Sequence, residues 1–475
     1  MSTSSYLAVD LGAESGRVML GTLDQDRLAL EEIDRFPNGP VAKGAGLFWD
    51  LAKLEKEIFA GIEKAARRGA PIAGLSANSW GVDYVLLGDN NEPVTEARCY
   101  RDPRNNASVP RLSQKISPAG IYAETGIQLM AINTLFQLEA GLHADPGLFQ
   151  KARHFLNIAD YFNARFSGVA AAEQSLASTT EIYNPQRHAW SEKLIATLGL
   201  PGSFFPRIVP GGSVLGPVTG PLREEATLAS AKVIATCSHD TGAAVAAVPA
   251  QDGRPWAYLS SGTWSLLGTE LPSPVLTEAA REAGFTNEVG LGGKIRFLKN
   301  IAGLWILQEC RRAWETAGQK YSYDDLTRLA SENGPAPAHF SLDDSRFLSP
   351  GDMPEKIAAY CRETNQPIPS TPGQFVRTVL ESLALCYADT LTKLENLTGQ
   401  KIETLHIVGG GTRNDLLNQL TANAVKRKVV TGPVEATAAG NVLIQALALG
   451  HLESVARLRR IVEASFPTRV FNPLP

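Results

Sequence analysis

Residues 6–21 read YLAVDLGAESGRVMLG: an apolar run reaches Asp10, turns over small and hydroxylated residues, and leaves as a second apolar run. Gly12 and Gly16 let the backbone turn sharply and expose N–H groups. Ser15 adds a hydroxyl and Arg17 a positive charge, a set suited to a phosphate. Asp10 would repel that phosphate unless Mg²⁺ with its water shell stood between them, and Mg²⁺ keeps several waters and takes few protein ligands. The same residues also make an ordinary hairpin with a turn-forming aspartate.

Three further stretches carry chemistry. SSGTWS, residues 260–265, offers Gly262 for close approach and the Ser261 and Thr263 hydroxyls as donors, although a plain β-turn accounts for it as well. HIVGGGTRND places Gly409, Gly410 and Gly411 between a strand and a helix, giving the side-chain-free backbone that flat contact with a nucleotide requires. In CSHDTGAAV, Asp240 sits where a helix is expected to begin. It either caps that helix, worth roughly 0.5–2 kcal/mol, or serves as a general base. A helix N-terminus favours the ionised form, which can take a proton from a sugar hydroxyl. Other plans are disfavoured: GxGxxG is absent, and the Gly292-Gly293-Lys294 run continues with Ile295, so no P-loop forms. GxSxG, HExxH and paired-cysteine patterns are absent too.

These residues need elements to position them. Strands are expected at 6–12 and 16–22, and a helix at 50–68, where Leu51, Leu54, Ile58 and Ile62 keep one face apolar. A strand at IAGLSAN leads into SWGVDYVLLG. LFQLEAGL and ARHFLNIADYFNARFSG read as helices, the second closed by Gly168. RPWAYLSSGTWSLLGTE, residues 254–270, repeats the layout of the opening hairpin. Pro249, Asp252, Gly253 and Pro255 make a turn-rich junction before it, which sets a domain boundary near residue 250. Phe375, Val379, Leu383, Tyr387, Leu391 and Leu394 mark a long helix ending at Gly399. Then follow strand TLHIV, turn GGGTRN, helix DLLNQLTANAV, strand KVVTG and an alanine-rich helix ending at Gly450. Strands alternating with helices predict an α/β fold with a mainly parallel sheet and ligands at the carboxyl ends of its strands.

Composition narrows the class. With 475 residues the chain exceeds one ordinary core, so two or three domains are expected. A net charge of -4 with 20% charged residues gives no excess of positive charge, and nucleic acid is not an expected partner. No run approaches the roughly 18 apolar residues of a membrane helix, and no basic run precedes an apolar stretch at the start. Neither a signal peptide nor a membrane partner is expected, and the predicted location is cytoplasmic. Cys99, Cys237, Cys310, Cys361 and Cys386 are scattered without metal-ligand spacing, as expected of reduced, mostly buried thiols.

Taken in order, AVDLGAESGRVMLG, WGVDYVLL, YRDPRNN, SHDTGAAV, AYLSSGTWSL, FLKNIAGLW, CRETNQPIP and LHIVGGG resemble the FGGY family of sugar kinases over nearly the whole chain. The resemblance implies a two-domain actin-like ATPase (ribonuclease H-like) fold with a cleft between the domains. Closure on the substrates is expected in turn, because an open cleft would let water compete with the sugar for the phosphoryl group. Residues 1–248 would hold the sugar, the first phosphate hairpin and the base, and residues 249–475 the nucleotide. It implies ATP-dependent phosphorylation of a ketose, with Mg²⁺ accompanying ATP. The blocks match L-rhamnulose, phosphorylated at O1; L-fuculose, xylulose and a non-kinase actin- or chaperone-like ATPase are the alternatives. Asp240 would be the base, and Gly81, His239, Asp240, Thr241 and Asn300 would hold the sugar. Ala13, Glu14, Ser15, Gly16, Arg17, Thr263, Gln308 and Gly410 would hold ATP, and Asp10 would reach Mg²⁺ through water. Glu14 departs from the family, where serine or threonine is commoner, and its side chain is expected to point away. Trp80, Asp83 and Arg101 are expected in the sugar wall, Trp80 equally in the core. The cysteine pairs of some members lack partners here, so no disulfide is expected, and a monomer or homodimer is expected.

Overall fold

A computed structural model describes residues 3–250 and 253–474; Asp252, expected at the junction of the halves, lies outside them. The chain forms two compact units. The first comprises Met1–Pro249, Glu270–Phe297 and Ala436–Ser465, and the second Ala250–Thr269, Leu298–Glu435 and Phe466–Pro475.

The first unit is built on a six-stranded sheet. Ser4–Leu11 lies at its centre, and its side chains Tyr6, Leu7, Ala8 and Val9 are fully buried, as expected of a strand covered on both faces. Ser15–Asp24 pairs antiparallel with it and Arg27–Pro37 extends that meander. On the other side Ile72–Ser79 runs parallel, Lys232–Ala235 runs parallel beside that, and Ser213–Pro217 closes the edge antiparallel. Three parallel strands therefore end side by side, at Leu11, Ser79 and Ala235. The helix Leu51–Ala66 is N-capped by Asp50, which accepts from the Lys53 N–H, and buries Leu54, Ile58 and Ile62. Where one helix was expected over 152–168, His154–Asn157 is a strand paired antiparallel with Tyr84–Leu87, and the helix occupies only Ile158–Ser167, with Gly168 left-handed behind it. The HFLN run, with Phe155 and Leu156 between two polar residues, reads equally as either element, and its buried neighbour strand decides it.

One helix, Ala436–Ala448, is buried on nearly every side. Three glycines make its seat. A Cβ on Gly21 would fall 2.6 Å from Val442 Cγ2, one on Gly74 would fall 2.4 Å from Gln445 Oε1, and one on Gly440 would meet the Ala243 carbonyl oxygen. Polar ties lock the helix there: Gln445 donates to the Leu7 carbonyl at 2.9 Å, and Asn441 donates to Asn78 Oδ1.

The second unit repeats this plan. Trp256–Ser261 and Trp264–Leu271 form the hairpin, Thr404–Val408 pairs parallel with Trp256–Ser261, Lys428–Thr431 runs parallel beyond it, and Arg469–Phe471 closes the edge antiparallel. Both sheets thus contain a hairpin, two parallel strands and an antiparallel edge in the same spatial order. The recurring layout of the two opening hairpins in the sequence is the trace of this repetition. The long helix Pro372–Thr398 ends on Gly399 in the left-handed conformation, as its spacing predicts.

Candidate active site

At the carboxyl edge of the first unit's sheet, the parallel register places Asp10 opposite Asn78 and Leu11 opposite Ser79. The Ser79 N–H donates to the Ser238 carbonyl at 2.9 Å and the Trp80 N–H to the Leu11 carbonyl at 3.2 Å. Asp10, Trp80–Gly81 and Ser238–His239–Asp240 are therefore adjacent because three neighbouring strands deliver them. The Arg17 guanidinium donates to Asp10 Oδ2 across the hairpin. Gly12 and Gly16 act through space rather than through a left-handed turn: the Gly12 N–H bonds to the Ser15 carbonyl at 2.9 Å, and a Cβ on Gly16 would overlap the Phe36 ring. Ala13 and Ser15 are partly exposed at the tip and Glu14 fully so.

Asp240 opens the helix Asp240–Ala246. The cap position belongs to His239, so the expected capping role does not fall to Asp240; its Oδ1 accepts from its neighbour, the Thr241 N–H and, at 3.1 Å, the Thr241 hydroxyl. Burial acts against the helix end's pull toward the ionised form. Burial pushes its pKa up, the nearby Asp10 charge adds to the rise, and His239 and the Thr241 bonds oppose it without cancelling it. With 28% of its side chain accessible, the carboxylate remains open to an incoming hydroxyl.

The loop that carries it is held from beneath by residues that motif reading missed. Glu173, fully enclosed, accepts from the Ser238 N–H at 2.9 Å and from Ser175, whose hydroxyl in turn receives the His239 N–H at 3.1 Å. Glu288 and Arg296 flank the His239 ring. Both are charged residues inside strands, FTNEV and IRFLKN, where the sequence does not show which way a charge faces.

Trp80 is 7% exposed and belongs to the core, its ring 4.3 Å from that of Trp49. Beneath the Trp80–Gly81 corner, Asp83 is fully buried and collects both indole N–H groups on Oδ2, from Trp49 at 2.6 Å and Trp80 at 2.9 Å, with the Gln137 amide on Oδ1 at 3.0 Å. Asp83 is thus the hub behind the corner rather than part of an open wall. Gly81 packs against Thr179 and Val82 is left-handed (φ 67°), held by the Thr179 hydroxyl at 3.1 Å. Arg101 is half-buried over the Tyr100 ring.

Burial lifts the Asp83 pKa to about 6 against the indole and amide hydrogen bonds that lower it. Because the folded value lies above the unfolded one, this group favours folding in acid. That advantage is lost as pH rises from about 4 to about 6, a change of about 3 kcal/mol. Asp83→Asn is expected to remove this slope. Its stability relative to the parent protein should rise between pH 4 and pH 7 in parallel urea titrations, and a difference independent of pH would refute the assignment.

In the second unit, Gly262 and Thr263 form the hairpin turn, the Gly262 N–H bonding to the Trp264 carbonyl at 2.9 Å. Gln308 donates to the Thr263 hydroxyl at 3.4 Å. Gly409 is left-handed (φ 86°), and a Cβ on Gly411 would overlap the Ser261 side chain, so the glycine turn lies on the end of the first strand of the hairpin. Gly410 faces open space. Thr263, Gln308 and Gly410 are thereby gathered at one strand edge. Asn300 is partly exposed on the strand Ile295–Ala302, in the second unit, whereas His239, Asp240 and Thr241 belong to the first. Cys99, Cys237, Cys310 and Cys361 are buried thiols and Cys386 is partly so.

Asp10 keeps one carboxylate oxygen beyond the one that receives Arg17, and among the described residues no cluster of three metal-ligating side chains exists. That donor set suits a hydrated cation arriving with a polyphosphate rather than a resident metal. Among the described residues no helix is long and apolar enough to cross a membrane.

Comparison with known proteins shows the family and the fold. Residues 5–247 match the N-terminal domain of the FGGY family of carbohydrate kinases and residues 257–449 its C-terminal domain. A rhamnulokinase of Bacteroides thetaiotaomicron is 42% identical over 469 residues, covering 99% of this chain and 96% of the relative. That of Bacillus subtilis is 38% identical, covering 98% and 95%. Among solved structures, the gluconate kinase of Lactobacillus acidophilus superimposes with a TM-score of 0.80 at 16% identity, covering 100% and 94%, and Plasmodium falciparum glycerol kinase with ADP with 0.79 at 15%, covering 99% and 94%. A two-domain α/β fold of the actin-like ATPase class, with both family domains matched along its length, makes this chain a member of the FGGY family of carbohydrate kinases.

Proposed function

We propose that the protein transfers the γ-phosphoryl group of ATP to O1 of L-rhamnulose, giving L-rhamnulose 1-phosphate and ADP. The observation that carries this reading is the full-length similarity to rhamnulokinases, of which the Bacteroides thetaiotaomicron relative is 42% identical. The partly exposed Asp240 supplies the acceptor carboxylate that the reaction needs.

Asp240 takes the O1 proton as that oxygen forms its bond to the γ-phosphorus, the bond to the β,γ-bridging oxygen breaks, and ADP leaves with the electron pair. A pKa raised by burial makes this carboxylate a better proton acceptor than an exposed one. His239, Thr241, Gly81 and Asn300 are assigned to the sugar. Ala13 to Arg17 of the first unit and Thr263, Gln308 and Gly410 of the second are assigned to the nucleotide and its phosphates. Mg²⁺ enters as part of the MgATP substrate, with Asp10 holding its water shell, and supplies charge neutralisation at the phosphates. Phosphoryl transfer is mostly positioning and charge stabilisation, so no further covalent chemistry is required. One site per chain demands no second copy, and consumption of ATP fits a cytoplasmic location.

A panel of ketoses assayed for sugar-dependent ADP release tests the reading. L-rhamnulose is expected to give the highest kcat/KM by at least about tenfold, the low end of the discrimination that pocket contacts supply. A preference for L-fuculose or xylulose would replace the substrate, and ADP release indifferent to every sugar would overturn the kinase reading.

A further inference from the structure

Four side chains of the first unit form a line running inward from the proposed base. His239 Nε2 lies 3.5 Å from Asp240 Oδ1. On the far side of the ring, Nδ1 lies 3.2 Å from Glu288 Oε2 and 3.0 Å from Arg296 Nη2, and Arg296 Nη2 donates to the same Glu288 oxygen at 2.9 Å. Arg296 is fully buried, and the Glu288 and His239 side chains are 7% and 9% accessible. The Gly-rich run at 290–293, which is no phosphate loop, is the turn that sets this pair. Gly292 and Gly293 are left-handed, the Gly290 N–H bonds to the Lys294 carbonyl at 2.7 Å, and a Cβ on Gly290 would press on Arg296 Cγ at 3.1 Å.

The triangle restricts the imidazole. Arg296 can only donate, so a neutral ring satisfies it by presenting the Nδ1 lone pair, which puts the hydrogen on Nε2. If the ring instead donates from Nδ1 to Glu288 as an imidazolium, Nε2 carries a hydrogen as well. The arrangement left out is a neutral ring with a bare Nε2, which would turn a lone pair toward the Asp240 carboxylate. In both permitted states the hydrogen sits on Nε2, the ring nitrogen that lies 3.5 Å from Oδ1. The two Thr241 donors fall on that same oxygen.

Resting on Asp240 as the base of the kinase reaction, we infer that Glu288 and Arg296 are positioning residues: they hold His239 with its hydrogen on Nε2, so that His239 and Thr241 load Oδ1 and the substrate proton passes to Oδ2. His239 then acts on the carboxylate as well as bordering the sugar.

Nitrogen NMR of the intact protein labelled in histidine tests the first step directly. The His239 signal is assigned by its loss in His239→Gln, and Nε2 is expected to carry the proton. A bare Nε2 beside a protonated Nδ1 overturns the proposal, whatever the variants do. Kinetics test the second step, using the ketose that the parent protein phosphorylates best. Glu288→Gln strips Arg296 of its carboxylate and frees the ring, so kcat is expected to fall about tenfold or more with the sugar KM within about threefold. His239→Gln, which keeps a donor near Nε2, is expected to retain more kcat than His239→Asn, whose amide reaches only the Nδ1 position. A rise in KM at constant kcat in these variants would make His239 and its neighbours sugar contacts alone and overturn the positioning role. Asp240→Asn is the control: if it keeps normal turnover, the base assignment fails, and the NMR result still reports separately on the Glu288–Arg296 triangle.

Discussion

Asp240→Asn is expected to lower kcat by on the order of 10²-fold or more while leaving the sugar KM within about threefold. The amide keeps the shape of the side chain and can still accept from Thr241, so the local fold and the bordering contacts persist. It cannot take a proton, however, and the attacking oxygen must lose its proton to water instead. Stopped assays of ADP formation at saturating sugar and ATP measure this, and near-normal turnover would remove Asp240 from the role. The direction of its pKa adds a second readout. Because burial and Asp10 raise it, the acid limb of the parent protein's kcat/KM profile is expected at a higher pH than an ordinary carboxylate gives. Asp240 must be ionised to act, so activity is lost as pH falls through that raised value.

What sequence reading captured follows from local rules. Strand, turn and helix signals near Asp10, Thr263 and Gly409 are contained within about ten residues each, and their hairpins and glycine turn are present. The repeat of the hairpin plan was visible for the same reason. What it missed depends on partners far along the chain. Asp83 reads as a polar residue in WGVD, yet its place is set by Trp49 and Gln137, 34 and 54 positions away. Glu288 and Arg296 are about 50 residues from His239, and no local pattern says that a charge within a strand faces inward. At Asp240 the helix end is a local signal, whereas the burial that raises its pKa is tertiary. The first part of residues 152–168 reads as helix because the run HFLN does not reveal that it pairs with Tyr84–Leu87.

Gly440→Ala is expected to produce the largest loss of stability of any single methyl group added to the first unit. The added Cβ would lie under 2 Å from the carbonyl oxygen of Ala243 and 2.6 Å from its carbonyl carbon, backbone atoms that cannot rotate aside as a side chain would. Alanine is the better helix former, so propensity alone predicts stabilisation by about 1 kcal/mol. The overlap wins because the helix Ala436–Ala448 has nowhere to retreat: Val442 fills the gap at Gly21, Gln445 the gap at Gly74, and Asn441 is tied to Asn78. Overpacking against a fixed backbone costs about 3 kcal/mol, and thermal unfolding should begin several degrees earlier. Gly202→Ala, where the new Cβ meets nothing within 4 Å, is the matched control and should leave the transition in place. The same displacement bears on chemistry. Ala243 lies in the helix that Asp240 opens, so pushing the two helices apart shifts the carboxylate, and kcat should fall with stability. A Gly440→Ala protein as stable and active as the parent would mean that the close approach of these helices does not hold the base in place.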